Sequence, residues 1–313
     1  MNKVLIVGGA GYIGGHLTDC MLASGFDVTV YDNLLFETRY MKQTNFVYGD
    51  IRDKTRLAPL LKKHDVVIWL AGLVGDGACA VNAPLTRNLN VDCVQWLVDN
   101  FDGKIVFPST CSVYGINNDL ISEDATPNPL SLYAATKLEA EQYILNNAKE
   151  PMVFRLGTLY GLGDLHSRIR LDLVVNILSM RAARGEPLTV FGGEQWRPLL
   201  HVRDAAEAFV FSVEKNLSGL YNLSRENYQI KDLAHEIAKI VPNTEIQYVD
   251  MKFEDLRNYK VNNSRILNAG WESKYSLQDG IEQIYQIIDT KRLKNINDIV
   301  YSNAKYMNWL EEA

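Results

Sequence analysis

Residues 3–14 read KVLIVGGAGYIG. Lys3 to Val7 is a short apolar run stopped by glycine, which reads as a buried strand. Gly9-Ala10-Gly11-Tyr12-Ile13-Gly14 follows at once, with Gly8 just before it, and Gly11 to Ser24 carries helical spacing. A strand, a glycine turn and a helix in that order bring free N–H groups and the positive end of the helix close to a pyrophosphate. Asp32 ends the next strand, 18 residues after Gly14. A carboxylate there accepts bonds from ribose hydroxyls and repels a 2′-phosphate, so the unit is expected to bind NAD rather than NADP. Arg39 is the nearby cation that argues the other way. The cofactor set read here is Gly8, Gly11, Tyr12, Ile13, Gly14, Asp32 and Asn33.

Working outward, strands are expected at Val28–Tyr31, Asn45–Tyr48, Asp65–Leu70, Ile105–Phe107 and Met152–Arg155. Helical spacing occupies 53–63, 85–99 and 131–148 between them. Short strands alternating with helices make βαβ units and a parallel sheet. The fold class is therefore α/β, a doubly wound parallel sheet over residues 1–160. Residues 161–313 are expected to form a second, smaller mixed α/β lobe for substrate, with loops at 161–170, 191–199 and 224–229 and some segments returning to the first domain.

The totals narrow the function further. The chain has 313 residues, 47% hydrophobic and 22% charged, with a net charge of −6. An acidic balance gives no footprint for nucleic acid. No apolar run approaches the roughly 18 residues of a membrane span, and the first residues lack a signal-peptide core. The four cysteines form no C-x-x-C pair and the five histidines no ligand spacing, so no metal site is expected. These features place the protein in the reducing cytoplasm.

Two further stretches carry chemistry. Ser109-Thr110-Cys111-Ser112-Val113-Tyr114-Gly115 sets polar side chains at the end of a buried strand, where doubly wound sheets open to ligand. Tyr133-Ala-Ala-Thr-Lys137 puts a phenol and an ammonium on one helix face. A tyrosine near its usual pKa of about 10 is a poor base, and a neighbouring cation favours the phenolate. Tyr301-Ser-Asn-Ala-Lys305 repeats the spacing. It lies far from any cofactor signal and reads as a solvated helix face.

Together these residues resemble the extended short-chain dehydrogenase/reductase family, the NAD-dependent nucleotide-sugar epimerases and dehydratases. The likeness spans nearly the whole chain and includes GGAGYIG, Asp32, Gly49-Asp50-Ile51, Leu70-Ala71-Gly72, Asn90, STCSVYG, YAATK, Arg155 to Gly161 and Arg197 to Asp204. The resemblance implies that Asp50 and Ile51 meet the adenine, that residues 70–73 and Asn90 line the cofactor, and that Lys137 also holds the nicotinamide ribose. It assigns Thr110 to the sugar oxygen at C4, Tyr133 to its proton and Ser109 to the cofactor. It places Cys111, Ser112, Arg197 and Arg257 toward a nucleotide-diphosphate sugar, with the arginines on phosphate. It further implies a homodimer built from helices 85–99 and 131–148.

Departures from the family shape the expected reaction. The 4,6-dehydratases carry T-D-E where this chain has Thr110-Cys111-Ser112. A serine and a neutral thiol replace the acid and the base, so elimination of water is disfavoured. Cys111 could instead serve epimerisation at C3 or C5, or simply fill space. Ser112 could cap a turn. Val74 replaces a cofactor-facing lysine, and Thr158 stands where many members have Asn. The run Arg168 to Asn176 is similar to capsule-sugar enzymes acting on GDP-manno-heptose. The expectation is NAD-dependent oxidation at C4 of a GDP-sugar by a 4-dehydrogenase, which needs a second electron acceptor or another route to reoxidise NADH. A 4-epimerase is the alternative. A non-catalytic NAD-binding module is a further rival, weakened by the retained Tyr133–Lys137 pair.

Overall fold

The computed structural model describes residues 2–249 and 257–313. The chain opens with β1 (Lys3–Val7), α1 (Tyr12–Ala23), β2 (Asp27–Asp32), β3 (Asn45–Tyr48), α2 (Lys54–Leu61) and β4 (Val66–Trp69). Next come α3 (Asp76–Val81), α4 (Ala83–Arg87), α5 (Cys93–Asn100), β5 (Lys104–Thr110), β6 (Ile116–Ile121), α6 (Leu132–Asn147), β7 (Glu150–Leu156) and β8 (Thr158–Tyr160). The second half holds α7 (Val174–Ala183), β9 (Leu188–Phe191), β10 (Trp196–His201), α8 (Val202–Glu214), β11 (Gly219–Leu223), β12 (Glu226–Gln229) and α9 (Ile230–Ile240). It ends with β13 (Ile246–Val249), β14 (Asn258–Val261), α10 (Ser264–Asn268), α11 (Leu277–Asp289) and α12 (Asn303–Glu312).

Seven parallel strands form one sheet in the order β11-β7-β5-β4-β1-β2-β3. β1 shows why it is covered on both sides. Val4 and Ile6 enter a core with Leu17 and Met21 of α1 and Phe209 of α8. Leu5 and Val7 enter another with Leu57 of α2, Leu97 of α5 and Ile144 of α6. A strand apolar at every position is stable only when helices cover both faces. In register, Val7 lies beside Tyr31 and Trp69, so Gly8, Asp32 and Leu70 meet at the carboxyl edge, where doubly wound sheets bind ligands.

The expected strands and helices of the first 160 residues recur within a few positions, with two informative differences. The helix expected over 85–99 is broken: Asn82 caps α4 by accepting from Leu85 N at 2.9 Å, and a π turn over Asn88–Asp92 joins α4 to α5. That turn rotates Asn90 inward. The strand expected over 105–107 runs on through Thr110, because Ser109 and Thr110 pair with Arg155 and Leu156 of β7.

Beyond residue 160, β10 and β12 occupy stretches expected to be loops. β10 is held between β8 and β12, partners about forty and thirty residues away, which no local pattern reports. β11 and the preceding α8 return to the large sheet and its core. Tyr301 and Lys305 do not share a solvated helix: Tyr301 ends a short turn and packs with Ile169 and Leu171, while Lys305 lies on α12, whose Met307 is buried. No helix among the described residues is long and apolar enough to cross a membrane.

Candidate active site

A groove of about 370 Å³ runs along the carboxyl edge of the sheet. Its floor is the glycine turn. Gly8 has φ +84, and a Cβ there would lie 2.5 Å from Ala71 N; a Cβ on Gly14 would lie 2.6 Å from Gly9. The turn therefore closes only with glycine at these positions, leaving its backbone open to the groove. Asp32 accepts from Ala10 N at 2.9 Å and Leu34 N at 2.7 Å, and burial raises its pKa. Its carboxylate fixes the turn and keeps lone pairs for hydroxyls.

Gly8, Gly11, Tyr12, Ile13, Gly14, Asp32, Asn33, Asp50, Ile51, Leu70, Ala71 and Gly72 all line this groove. At one end Asp50 holds Arg52 through Nε at 2.9 Å and Nη2 at 2.8 Å, which keeps its carboxyl below the usual range. Asn90 braces the wall from behind: Oδ1 accepts from Leu73 N at 2.8 Å and Nδ2 donates to Leu73 O at 3.0 Å. It is absent from the lining because its polar groups are spent on that backbone. Ser109 Oγ is buried with no hydrogen-bond partner among the described residues. Such an orphaned hydroxyl is costly unless a ligand or water meets it. The glycine cradle and the placed carboxylate fit a dinucleotide.

Tyr133 stands at the first turn of α6, whose cap Ser131 accepts from Ala134 N at 3.2 Å. It packs with Leu73, Cys79 and Met307, beside Leu85 and Leu89 of the groove wall. Burial pushes its phenol well above the usual range, Cys79 and Asp76 add to the rise, and the nearby Thr110 hydroxyl and the charge of Arg170 oppose it. Thr110 Oγ1 also accepts from Ser112 N at 3.1 Å, so Thr110, not Ser112, caps the turn after β5.

Lys137 is buried on α6, one turn after Tyr133. Its Nζ lies 3.9 Å from the centre of the Phe107 ring, and burial lowers its pKa to about 7. The charge of Arg170 opposes the rise at Tyr133. Cys111 is turned inward: Sγ donates to Arg155 O at 3.2 Å among Val113, Ile121 and Val261, and burial raises the thiol far above its usual value. That orientation corrects its expected place at the substrate and removes it as an acid. Ser112 Oγ meets Tyr259 OH at 3.1 Å.

Arg197 and Arg257 come together, with Arg197 Nη1 donating to Arg257 O at 2.5 Å. Arg257 pairs with Asp76 at 2.8 Å, and Asp76 accepts from Ser131 Oγ at 2.6 Å. This chain of contacts joins the arginines to the cap of the Tyr133 helix. Residues the sequence reading did not assign also line the groove: Phe36, Glu37, Leu159, Arg168, Arg170 and, from α12, Asn303, Met307, Leu310 and Glu311. The R-x-R-x-D run was visible in sequence, but nothing local places α12 there.

Residues 4–224 match the profile of the NAD dependent epimerase/dehydratase family. The chain belongs to this family. It is similar to UDP-glucose 4-epimerase of Rhizobium meliloti (strain 1021), 28% identical over 88% of this chain and 94% of that one. It is also similar to UDP-N-acetyl-alpha-D-glucosaminuronate decarboxylase of Bacillus cytotoxicus, 27% identical over 87% of this chain and 94% of the other. Among solved structures, UDP-glucuronic acid 4-epimerase from Bacillus cereus, in complex with UDP-glucuronic acid and NAD, superposes with a TM-score of 0.79. The two are 27% identical over 92% of this chain and 99% of the other. As a member of this NAD-dependent family, the protein is an enzyme whose cofactor is NAD. The Rossmann-like parallel sheet is the one these epimerases share.

Proposed function

We propose that this epimerase/dehydratase-family enzyme inverts C4 of a nucleotide-diphosphate sugar through a 4-keto sugar. The observation that carries the reading is the packing of Tyr133, at the first turn of α6, against Leu73, Leu85 and Leu89 of the dinucleotide groove wall. Bound NAD supplies a reversible two-electron acceptor for the hydrogen on C4. Gly8, Gly11 to Gly14, Asp32, Asn33, Asp50, Ile51 and residues 70–72 hold it, with Ser109 near its reactive end and Lys137 at its ribose. Thr110 orients the C4 hydroxyl. Tyr133 takes the hydroxyl proton and later returns it to the ketone oxygen; C4 would be inverted by a turn of the 4-keto sugar in the site, so that the hydrogen taken from C4 comes back to the other face of the ketone. Arg197 and Arg257 hold the diphosphate, with Arg257 leaving Asp76 for it, since a guanidinium suits bidentate phosphate contact.

The relatives named above act on UDP-linked sugars, which supports UDP over the expected GDP. The groove is walled on one side by α12, which supports retention of the cofactor and hence return of the hydrogen within one turnover. A 4-dehydrogenase acting on a GDP-heptose is the second reading, supported by the Arg168 to Asn176 run and by Val74. Incubation with UDP- and GDP-sugars, followed by mass and C4 stereochemistry, separates them. An equal-mass C4 isomer supports inversion, and a product two mass units lighter overturns it in favour of the dehydrogenase. α5 and α6 pack together and are the face through which a homodimer would form; sedimentation of the protein tests it.

A further inference from the structure

A pyrophosphate at the start of α1 carries two negative charges, and among the described groove-lining residues before position 160 the only cation is Arg52. Val74 is apolar, Asp32 and Glu37 line the same groove, and Arg52 follows the edge strand β3, away from the glycine turn after β1. The second lobe supplies what is missing. Arg168 and Arg170 both line the groove. Arg168 is committed elsewhere: it donates to Val300 O and Asn303 Oδ1 and lies 4.0 Å over the Phe36 ring.

Arg170 is different. It is 8% exposed, its Nε and Nη2 reach Asp172 at 2.6 and 3.2 Å, and its Nη1 makes no hydrogen bond among the described residues. Its carbonyl accepts from Asn176 Nδ2 at 2.8 Å, and Asn176 Oδ1 holds Gly161 N at 2.9 Å. Gly161 O in turn accepts from Tyr12 OH at 2.6 Å. This buried chain of bonds fixes Arg170 against the glycine turn itself.

We propose that Arg170 is a cofactor-positioning residue whose guanidinium, oriented from behind by Asp172, meets the pyrophosphate of NAD from the second lobe. The inference rests on the cofactor and not on the sugar reaction proposed above, so a failed sugar assay leaves it standing. Binding of ADP-ribose and of adenosine to the full-length chain, measured by calorimetry over a salt series, tests it. Arg170→Met weakens ADP-ribose by about tenfold or more and flattens its salt dependence, because a charge-assisted bond to phosphate is lost. Adenosine, which has no phosphate, binds as before. Arg170→Gln, which keeps a donor to Asp172, guards against misfolding and behaves like the Met variant, whereas Arg170→Lys stays within about threefold of the parent. NAD carried through purification falls in the Met and Gln variants. ADP-ribose affinity unchanged in the Gln variant, or an equal loss for adenosine, overturns the proposal.

Discussion

Tyr133 is buried in a setting that opposes the phenolate, and its neighbours Thr110 and Arg170 only partly offset that cost. In the proposed reaction the phenol is therefore a proton carrier rather than a standing base. Tyr133→Phe is expected to lower turnover of the true sugar by about 10²–10⁴-fold while leaving the NAD content of the purified protein unchanged. Lys137 makes a second prediction through linkage. Its folded pKa, lowered to about 7, lies below the roughly 10.4 of an unfolded lysine. Between those values the unfolded chain binds more protons, so stability rises with pH. In NAD-free protein, melting curves should show the parent gaining on Lys137→Met as pH rises from about 7 to about 10, with a constant offset below that window. A gap between the two that does not change with pH would mean the ammonium is not buried as described. Tyr133-x-x-x-Lys137 was legible as a pair because both lie on one helix, but the low pKa was not, because it comes from burial of the ammonium under distant parts of the chain.

Among the elements, α12 has the most influence per residue. Asn303 ties it down: Nδ2 donates to Val74 O at 2.8 Å, its N–H to Asp172 Oδ2 at 2.8 Å, and Oδ1 accepts from Arg168. Met307 then fills the space beside Leu73 and Cys79. Asn303→Ala leaves Arg168 and Val74 short of partners and should cost about 1–3 kcal/mol in chemical denaturation. Bound NAD should also leave faster in a dilution assay, because one wall of its groove is no longer pinned. The α6 cap is a smaller effect. Ser131→Ala removes both the bond from Ala134 N and the bond to Asp76, and is expected to cost about 1 kcal/mol. The amphipathic helices around the first sheet could be read from spacing, whereas α12 gives no sign of its destination, since its bond to Val74 spans 229 residues.

At the scale of the molecule, one buried network joins the sheet to the second lobe. Arg155 on β7 donates to Glu141 on α6, with Nη2 at 2.5 Å, and to Tyr114 OH at 2.8 Å. Tyr114 OH donates to Asn222 Oδ1 on β11 at 2.7 Å, and Asn222 Nδ2 reaches Asn262 O, just past β14, at 3.2 Å. The Arg155 and Glu141 side chains are 4% and 1% exposed, so neither charge has water to fall back on. Glu141→Ala strands a buried guanidinium and should destabilise the protein by about 3–5 kcal/mol, read as a lower denaturation midpoint at unchanged slope. The same network turns Cys111 away from the groove, through its bond to Arg155 O.

The sequence by itself determined the doubly wound sheet and the NAD turn. These depend on strand and helix periods and on turns a few residues long, which local sterics and hydrophobic spacing dictate. Tertiary structure alone decided that β10 and β12 are strands, that Cys111 faces inward, and that Arg168, Arg170 and α12 complete the groove. Each of those outcomes is set by a partner tens to hundreds of residues away, where pairing and burial rather than local preference choose the conformation.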